Sequence, residues 1–518
     1  MKKWLIPAML LAASVGRSGA GKGVIPTYES PAAVTARGRI DELVFARLSA
    51  AGIAPANLCS DAVFVRRAYL DTIGTLPTAE ESSRFLADSD PEKRAALIDR
   101  LLEREEFADY RAMKWSDLLR VKAEFPINLW PNAAQAYHHW IWESLRANKP
   151  YDRMAREMLT ASGSNFRVPP VNFYRAMQNR EPQGIAQTVA LTFLGVRAEK
   201  WPRERLENMA VFFSQVGSKE TKEWKEEILF FDPSKGKPVP EAIFPDGKRV
   251  RLAPGRDPRE VFADWLTSPE NPWFARAMAN RVWSWLLGRG IVEEPDDLRP
   301  DNPPSNPELL AYLEQEFIRS HYDLKQIYRL ILNSSVYQLS SIPRSDNPEA
   351  EKNFAYYPLR RLDAEVLIDA LCQITGTGEQ YTSAIPEPYT VMPEGQRAIS
   401  LPDGSISSSF LELFGRPPRD TGLETERNNR PSAAQRLHLL NSTHVQRKLE
   451  HSPKLQELMA KSAKEPKAVV TGVYLTILSR PPSEDELKVV QAYPQRGRQA
   501  VLDLAWALLN TPEFLYRH

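Results

Sequence analysis

Eight polar residues, most of them in the last third of the chain, are the best candidates for chemistry. Arginine and carboxylate side chains pair through two parallel hydrogen bonds. Such a group could bind an anionic or sugar ligand, or it could tie helices together, and the sequence leaves both open. We predict a candidate binding set with no catalytic roles assigned. The set is Arg281, Asp297, Arg361, Glu365, Arg416, Glu426, Arg427 and Asn441.

Familiar catalytic motifs are missing from the sequence. It has no G-x-S-x-G nucleophile turn, no H-E-x-x-H zinc helix and no glycine-rich phosphate loop. The sequence therefore leaves open whether the protein is an enzyme.

The histidines and the paired acids do not predict a metal site. His438, His444 and His451 are spaced so that one helical face cannot carry them all. Glu293-Glu294 and Asp296-Asp297 could bind a hard cation through their oxygens, but a solvated turn around Pro295 explains them equally simply. We expect neither a metal ion nor a cofactor.

The N-terminus has the pattern of a secretory signal peptide. Lys2 and Lys3 precede an apolar run from Trp4 to Val15, and small residues follow up to Ala20. The run is shorter than the roughly 20 residues that a membrane-spanning helix needs. We predict a Sec-type signal peptide at 1–20, a periplasmic or secreted mature chain, and no membrane span.

Charge argues against a nucleic-acid partner. Residues 1–20 hold three of the 67 basic residues, so the mature chain has 64 basic and 66 acidic residues and a net charge near −2. Nucleic-acid binding normally needs a strongly basic surface. The only cysteines, Cys59 and Cys372, could pair, but the spacing favours two separate residues over a disulfide framework.

Helix signals dominate the chain and predict a mainly α fold. Thr78 to Glu81 and Ser483 to Glu486 have the form of capping boxes. Asp90-Pro91, Asn271-Pro272 and Asn306-Pro307 have the form of a helix cap followed by proline in the first turn. Gly288 is a predicted helix end.

One Pro-rich segment interrupts this pattern. Asp246-Gly247 between short apolar runs predicts a β-hairpin. We therefore predict two helical domains, at 36–215 and 255–518, joined by a linker at 216–254 with a candidate hairpin. A second irregular stretch, from Glu379 to Ser409, predicts a long surface loop.

Tryptophan is abundant, with 12 residues in the chain. Most lie on apolar helical faces and are expected in the core, although some could form a platform on which sugar rings stack. The tryptophans considered are Trp130, Trp140, Trp142, Trp201, Trp224, Trp265, Trp273, Trp283, Trp285 and Trp506.

Ordered motifs along the chain carry a family resemblance. Arg66 to Asp71, Gly74 to Thr78 and Phe193-Leu-Gly195 resemble a planctomycete-specific cytochrome-type domain of unknown function. The second half resembles the C-terminal companion of that domain, also of unknown function. Its motifs include Asn280 to Trp283, Phe414 to Pro417, Glu426-Arg427 and Leu437 to Asn441.

The chain departs from both family patterns at their cysteines. The resemblance implies C-x-x-C-H, the spacing of covalent haem attachment, after Phe193-Leu-Gly195, but the segment from Val196 to Pro202 has neither Cys nor His. It also implies C-x-C-E-R, where this chain has Leu423-Glu-Thr-Glu-Arg427. We expect no haem, and we take the joint loss as a hypothesis that one shared site disappeared as a unit.

Two functions remain. The first is a non-catalytic binding or scaffold protein for extracytoplasmic polymers, with a glycan or a protein as its partner. The second is an enzyme that acts on extracellular glycans through the Arg/carboxylate set. A deep pocket around that set would favour the enzyme, and dispersed helix-to-helix pairs would favour the binding protein.

Overall fold

The computed structural model describes residues 27–235, 240–461, 465–494 and 497–518, and within these ranges the chain is mainly α-helical. The signal peptide predicted at 1–20 lies outside the described residues. The helices before the linker are α1 Arg39–Ala50, α2 Asp61–Ile73, α3 Ala79–Ala87, α4 Lys93–Glu103, α5 Glu105–Leu118, α6 Pro131–Arg146, α7 Tyr151–Thr160, α8 Asn172–Arg175, α9 Pro182–Val189 and α10 Arg203–Ala210.

Thirteen further helices follow in the described part of the chain. They are α11 Pro258–Leu266, α12 Phe274–Leu287, α13 Pro307–Arg319, α14 Leu324–Leu332, α15 Ala364–Thr375, α16 Ser409–Leu413, α17 Ala433–Asn441, α18 Thr443–Glu450, α19 Pro453–Lys461, α20 Pro466–Leu478, α21 Glu484–Ala492, α22 Gly497–Leu509 and α23 Pro512–Leu515.

Among the residues that the structure describes, the strands are short and form three small antiparallel sheets. They are β1 Gly163–Ser164, β2 Val216–Glu220, β3 Glu227–Phe231, β4 Glu241–Ile243, β5 Arg249–Arg251, β6 Arg360–Arg361 and β7 Tyr516–Arg517. The predicted hairpin is confirmed, because β4 pairs with β5 in the register Ala242 to Val250. The β2–β3 pair and β1 beside it were not predicted from the sequence.

Most helix caps follow the sequence. Both capping boxes form, at Thr78 and at Ser483, and Asn306 caps α13 through the N–H of Leu309. Two starts were predicted too early: α4 begins at Lys93 and α12 at Phe274. In each case the Asp or Asn side chain caps a turn ahead of the helix, because Asp90 accepts from the N–H of Glu92 and Asn271 from that of Phe274.

Two large hydrophobic cores, and a small cluster of Ala56, Leu58 and Leu339, organise the described part of the chain. The larger core holds residues from Ile40 to Tyr357, on both sides of the β4–β5 hairpin. The smaller core holds residues from Leu362 to Phe514 together with four residues from the N-terminal helices and their connections, among them Tyr110 and Met113 of α5. Helix α5 therefore contributes to both cores, and the polar groups on it lie where the two cores meet.

Candidate functional site

Arg427 is the centre of a buried ionic network between α5 and α15. It follows a single 3-10 turn at Glu424–Glu426. Its Nη2 atom lies 2.7 Å from Oδ2 of Asp117, and its Nη1 atom lies 2.6 Å from Oε2 of Glu365. The Arg427 side chain is 5 % exposed and that of Glu365 is 0 % exposed. One guanidinium thus joins a carboxylate at the end of α5 to one in the first turn of α15.

Two more arginines share these carboxylates. Nε of Arg416 lies 3.4 Å from Oε1 of Glu365, and Nε of Arg419 donates to Oδ1 of Asp117 at 3.0 Å. Burial alone would raise the pKa of Glu365, but the charges of Arg427 and Arg416 outweigh it and hold that pKa below its ordinary value. Glu365 is therefore ionised in the folded protein near neutral pH.

A third carboxylate, Asp363, lies beside this network, with Oδ1 3.8 Å from Nη1 of Arg427. Its oxygens accept from the hydroxyl of Tyr110 at 2.8 Å and from Nδ2 of Asn429 at 2.7 Å. Nη2 of Arg517, in strand β7, donates to Oδ2 of Asp363 at 3.1 Å. Burial opposes ionisation of Asp363, but the charges of Lys114, Arg517 and Arg427 hold its pKa well below the ordinary value.

Three members of this region, Asp117, Asp363 and Arg419, were not predicted from the sequence. Asp71 was also missed as a polar centre, although it lies in the first family motif. It accepts from the hydroxyls of Tyr357 at 2.7 Å and Tyr337 at 3.0 Å. The partners of these residues are 66 to 310 positions away in sequence, so spacing could not have indicated them.

The eight predicted residues fall into separate places. Glu365, Arg416 and Arg427 come together in the network. Arg361 instead binds main-chain carbonyl groups. Its Nη2 atom donates to the carbonyls of Phe414 at 2.5 Å and Asn428 at 3.1 Å. Glu426 accepts from the N–H of Asp420 at 2.9 Å, within its own loop. Asn441 is exposed at the end of α17.

Arg281 and Asp297 belong to a different neighbourhood, the loop from Glu293 to Leu298. Arg281 is fully buried and its Nη2 atom lies 2.8 Å from Oδ1 of Asp296. It also donates to the carbonyls of Leu191 and Thr192. Asp297 pairs with Nε of Arg299 at 2.9 Å. Glu294 pairs with Arg197 in the same way, whereas Glu293 accepts from the backbone N–H of Gly290 at 2.8 Å. Three of the four acidic residues of this loop are thus ion-pair partners of nearby arginines.

Both segments that depart from the family cysteine patterns contact this same loop. The carbonyl of Gly195 accepts from the N–H of Leu298 at 2.9 Å. From the other side, the N–H of Glu424 donates to Oδ2 of Asp296 at 2.7 Å. The segment after Gly195 contacts the loop through Arg197, whose Nη2 atom lies 2.5 Å from Oε2 of Glu294. Asp296 accepts both from Arg281 and from the N–H of Glu424. The two departures lie in one neighbourhood of the fold.

Glu424 and Lys114, two titratable residues of this neighbourhood, have pKa values shifted in opposite directions. Burial raises the pKa of the Glu424 carboxyl, and the charge of Asp296 adds to the rise. Burial lowers the pKa of the Lys114 amine, whose Nζ atom lies 3.3 Å from Oδ2 of Asp363. Opposed shifts in neighbouring groups are one pattern of acid–base sites, although ion-pair networks also produce them.

A cleft of about 360 Å³ lies apart from the predicted set. It is bounded by Trp273 and Arg276 on one side and by the proline-rich segment 300–307 on the other, and none of the eight residues lines it.

Three exposed loops bring aromatic side chains together on the surface. The Trp130 ring lies 5.3 Å from that of Tyr389 and 6.5 Å from that of Trp224, centroid to centroid. The rings cross at 60° and 86°, so they enclose a corner. Nζ of Lys225 lies 5.4 Å from the Trp224 ring. We call Trp130, Trp224 and Tyr389 the aromatic patch.

Hydrogen bonds connect two of the three loops of the aromatic patch. The N–H of Ala123 donates to Oδ1 of Asp403 at 2.8 Å, and the N–H of Gly404 donates to the carbonyl of Val121 at 2.9 Å. These bonds join the loop of Trp130 to the long irregular segment that carries Tyr389. Trp224 lies in the turn between β2 and β3, and its side chain is 69 % exposed.

The structure also bears on disulfides, metal ions and membrane spans. Cys59 and Cys372 are separate free thiols. Within the described ranges, no three or more His, Cys, Asp or Glu side chains are grouped to hold a metal ion. No helix in the described part of the chain is both long and apolar enough to cross a bilayer.

Two family models match the chain, in the order that the motifs indicate. Residues 39–205 match PSCyt2, described as a protein of unknown function (DUF1549). Residues 258–494 match PSD1, described as a protein of unknown function (DUF1553). No curated protein and no solved structure matches the chain.

Proposed function

We propose that this chain, which belongs to the proteins in which a PSCyt2 domain precedes a PSD1 domain, is a non-catalytic binding protein for glycan polymers outside the cytoplasm. The observation that carries this proposal is the aromatic patch. Exposed aromatic rings gathered from distant segments are uncommon on a protein surface that binds nothing.

The chemistry of the patch suits a sugar chain. A pyranose ring has apolar C–H faces and polar edges, and Trp and Tyr combine a flat apolar ring with a polar atom. The corner between the rings suits a chain end or a bent chain better than a flat polymer surface. Lys225 beside Trp224 favours a glycan that carries carboxylate or sulfate groups.

The Arg/carboxylate set supports binding over catalysis in a different way. Arg427 and Arg416 direct their donors to Glu365, Asp117 and backbone carbonyls, and their side chains are almost completely buried. Charged groups whose donors are taken by internal partners have few left for a substrate. Their arrangement is that of ion pairs that join helices.

Export is part of the proposal and rests on the sequence of residues 1–20. Expression of the full chain in a bacterial host, followed by fractionation and N-terminal sequencing, tests it. We expect the mature protein in the periplasmic or secreted fraction, beginning near residue 21. A cytoplasmic protein that retains Met1 to Ala20 would contradict it.

Glycan binding is tested with an array of neutral and acidic polysaccharides, followed by affinity electrophoresis. We expect Trp224→Ala to weaken retention by at least about tenfold, which corresponds to about 1.4 kcal/mol. Leu359→Ala is the matched control, because Leu359 is also an exposed apolar residue. Binding that Trp224→Ala and Leu359→Ala change equally would contradict the role of the patch.

One observation favours the enzyme alternative, namely the opposed pKa shifts of Glu424 and Lys114. A carboxyl with a raised pKa could serve as a general acid in the hydrolysis of a glycosidic bond. Release of reducing ends from a polysaccharide by the purified protein, abolished in Glu424→Gln, would replace the binding proposal. Equal release by the variant would assign the activity to a contaminant or to other residues.

A further inference from the structure

A helix break brings two histidines face to face. Helix α17 ends at Asn441 and α18 begins at Thr443, and the side chain of Ser442 caps α18 by accepting from the N–H of Val445. The chain changes direction there, so His438 in α17 faces His444 in α18. Nε2 of His438 lies 3.3 Å from Nδ1 of His444. Their spacing in sequence would not place them together on a continuous helix.

The second nitrogen of His444 is fixed by a carboxylate. Nε2 lies 2.8 Å from Oε2 of Glu379, and Nζ of Lys448 lies 2.9 Å from the same oxygen. A carboxylate only accepts hydrogen bonds, so Nε2 of His444 carries the proton. In this tautomer, Nδ1 of His444 directs its lone pair toward His438.

Aromatic contacts set the orientation of both imidazoles. The Phe410 ring packs edge-on against His438 at 71° and against His444 at 65°. Phe414 packs against His438 at 79°. The pair is thus held by packing as well as by the contact with Glu379.

We propose that His438 and His444 form an open binding site for a divalent transition metal ion of the Zn²⁺ and Cu²⁺ class. Imidazole nitrogens suit these ions. Two nitrogen ligands at about 2.0–2.1 Å in a tetrahedral arrangement are about 3.3 Å apart, which is the separation of the two nitrogens here. Glu379 takes the position of the outer carboxylate that orients a metal-bound histidine.

The site leaves coordination positions for other molecules. The described residues provide no third histidine, cysteine or carboxylate ligand at this place, and the His444 side chain is 30 % exposed. Water or an oxygen of a bound ligand completes the coordination.

The test uses the untagged mature chain, freed of metal with a chelator. Zn²⁺ affinity near neutral pH is measured by competition with a chromophoric chelator. We expect one Zn²⁺ per chain, and at least tenfold weaker binding in His438→Ala and in His444→Ala. Glu379→Gln should weaken binding by about 10- to 100-fold. His451→Ala is the control, because Nδ1 of His451 contacts the carbonyl of Arg447 and lies outside the pair.

A second measurement guards against variants that fold poorly. Cu²⁺ added to the wild-type chain should give an electron paramagnetic resonance spectrum with coupling to two imidazole nitrogens. Wild-type binding no tighter than that of His438→Ala would overturn the proposal, as would Cu²⁺ coordination by fewer than two imidazoles. Unchanged affinity in Glu379→Gln would overturn the arrangement in which Glu379 orients His444.

Discussion

Truncation of Arg427 tests whether the buried network stabilises the fold. Arg427→Ala removes the shared partner of Asp117 and Glu365. The side chains of these two residues are only 12 % and 0 % exposed. Removal of one partner from a buried ion pair costs about 3–5 kcal/mol. Each carboxylate keeps a second arginine, Arg419 or Arg416. We therefore expect a loss near the lower end, about 3 kcal/mol in the free energy of unfolding.

The assay is urea unfolding followed by tryptophan fluorescence and far-UV circular dichroism. Arg203→Ala is the matched control, because Arg203 pairs with Glu207 at 2.6 Å but its side chain is 89 % exposed. Solvent screens exposed pairs of this kind, so they contribute little to the free energy of unfolding. A loss in Arg427→Ala that lies within about 1 kcal/mol of the loss in Arg203→Ala would refute the reasoning.

The pH dependence of this variant gives an independent check. The folded-state pKa of Glu365 is below its ordinary value of 4.5, so its contribution to stability is present above that pH and is lost as the pH falls through the folded-state value. Without Arg427 this pKa rises. The difference in stability between wild type and Arg427→Ala should therefore be largest above pH 4.5 and should shrink in more acidic solution. A difference that stays constant down to acid pH would show that charge on Glu365 is not involved.

Three further substitutions test single features of the fold. Gly415 has φ +81°, and an added Cβ would lie 1.9 Å from the carbonyl oxygen of Asn428. Gly415→Ala should therefore lower the stability in thermal unfolding by more than the roughly 1–3 kcal/mol of backbone strain alone. Gly247→Ala is the control that should show only the strain, because Gly247 has φ +88° and no atom lies within 4 Å of an added Cβ. Thr78→Ala removes the cap of α3 and should cost about 1 kcal/mol in urea unfolding, and an unchanged midpoint would contradict this. Burial lowers the pKa of His138 to about 3, so the stability that the neutral ring provides is lost as the pH falls from 6.5 toward that value, by up to about 1.4 kcal/mol per pH unit. The free energy of unfolding, measured across this range, should fall less in His138→Gln than in the wild type. An identical fall in both proteins would refute the shift.

Local patterns in the sequence predicted much of the secondary structure. Capping boxes, the helix end at Gly288 and the Asp246-Gly247 turn depend on neighbouring residues, so their physics is contained in a short window. The two early helix starts, at Asp90 and Asn271, show the limit of such signals. An Asp or Asn can cap an isolated turn as readily as a helix, and the sequence does not distinguish the two.

The candidate site was only partly predictable. Arginine and carboxylate types indicated ion pairing, and three of the eight residues do share contacts. The partners that complete the network, Asp117 and Arg419, are separated by 302 positions, so only the packing of α5 against the second core brings them together. The aromatic patch likewise needs three loops to meet, and abundance of tryptophan could not show which of them remain exposed.

The sequence by itself determined the helical class, the order of the two family segments and the local caps, because these follow from residue type and short-range spacing. Only the tertiary structure decided which charges are buried, which aromatic rings meet on the surface and that His438 faces His444. Those features depend on contacts between distant segments, and the free energy of such contacts is set by burial and mutual geometry, which a linear pattern does not contain.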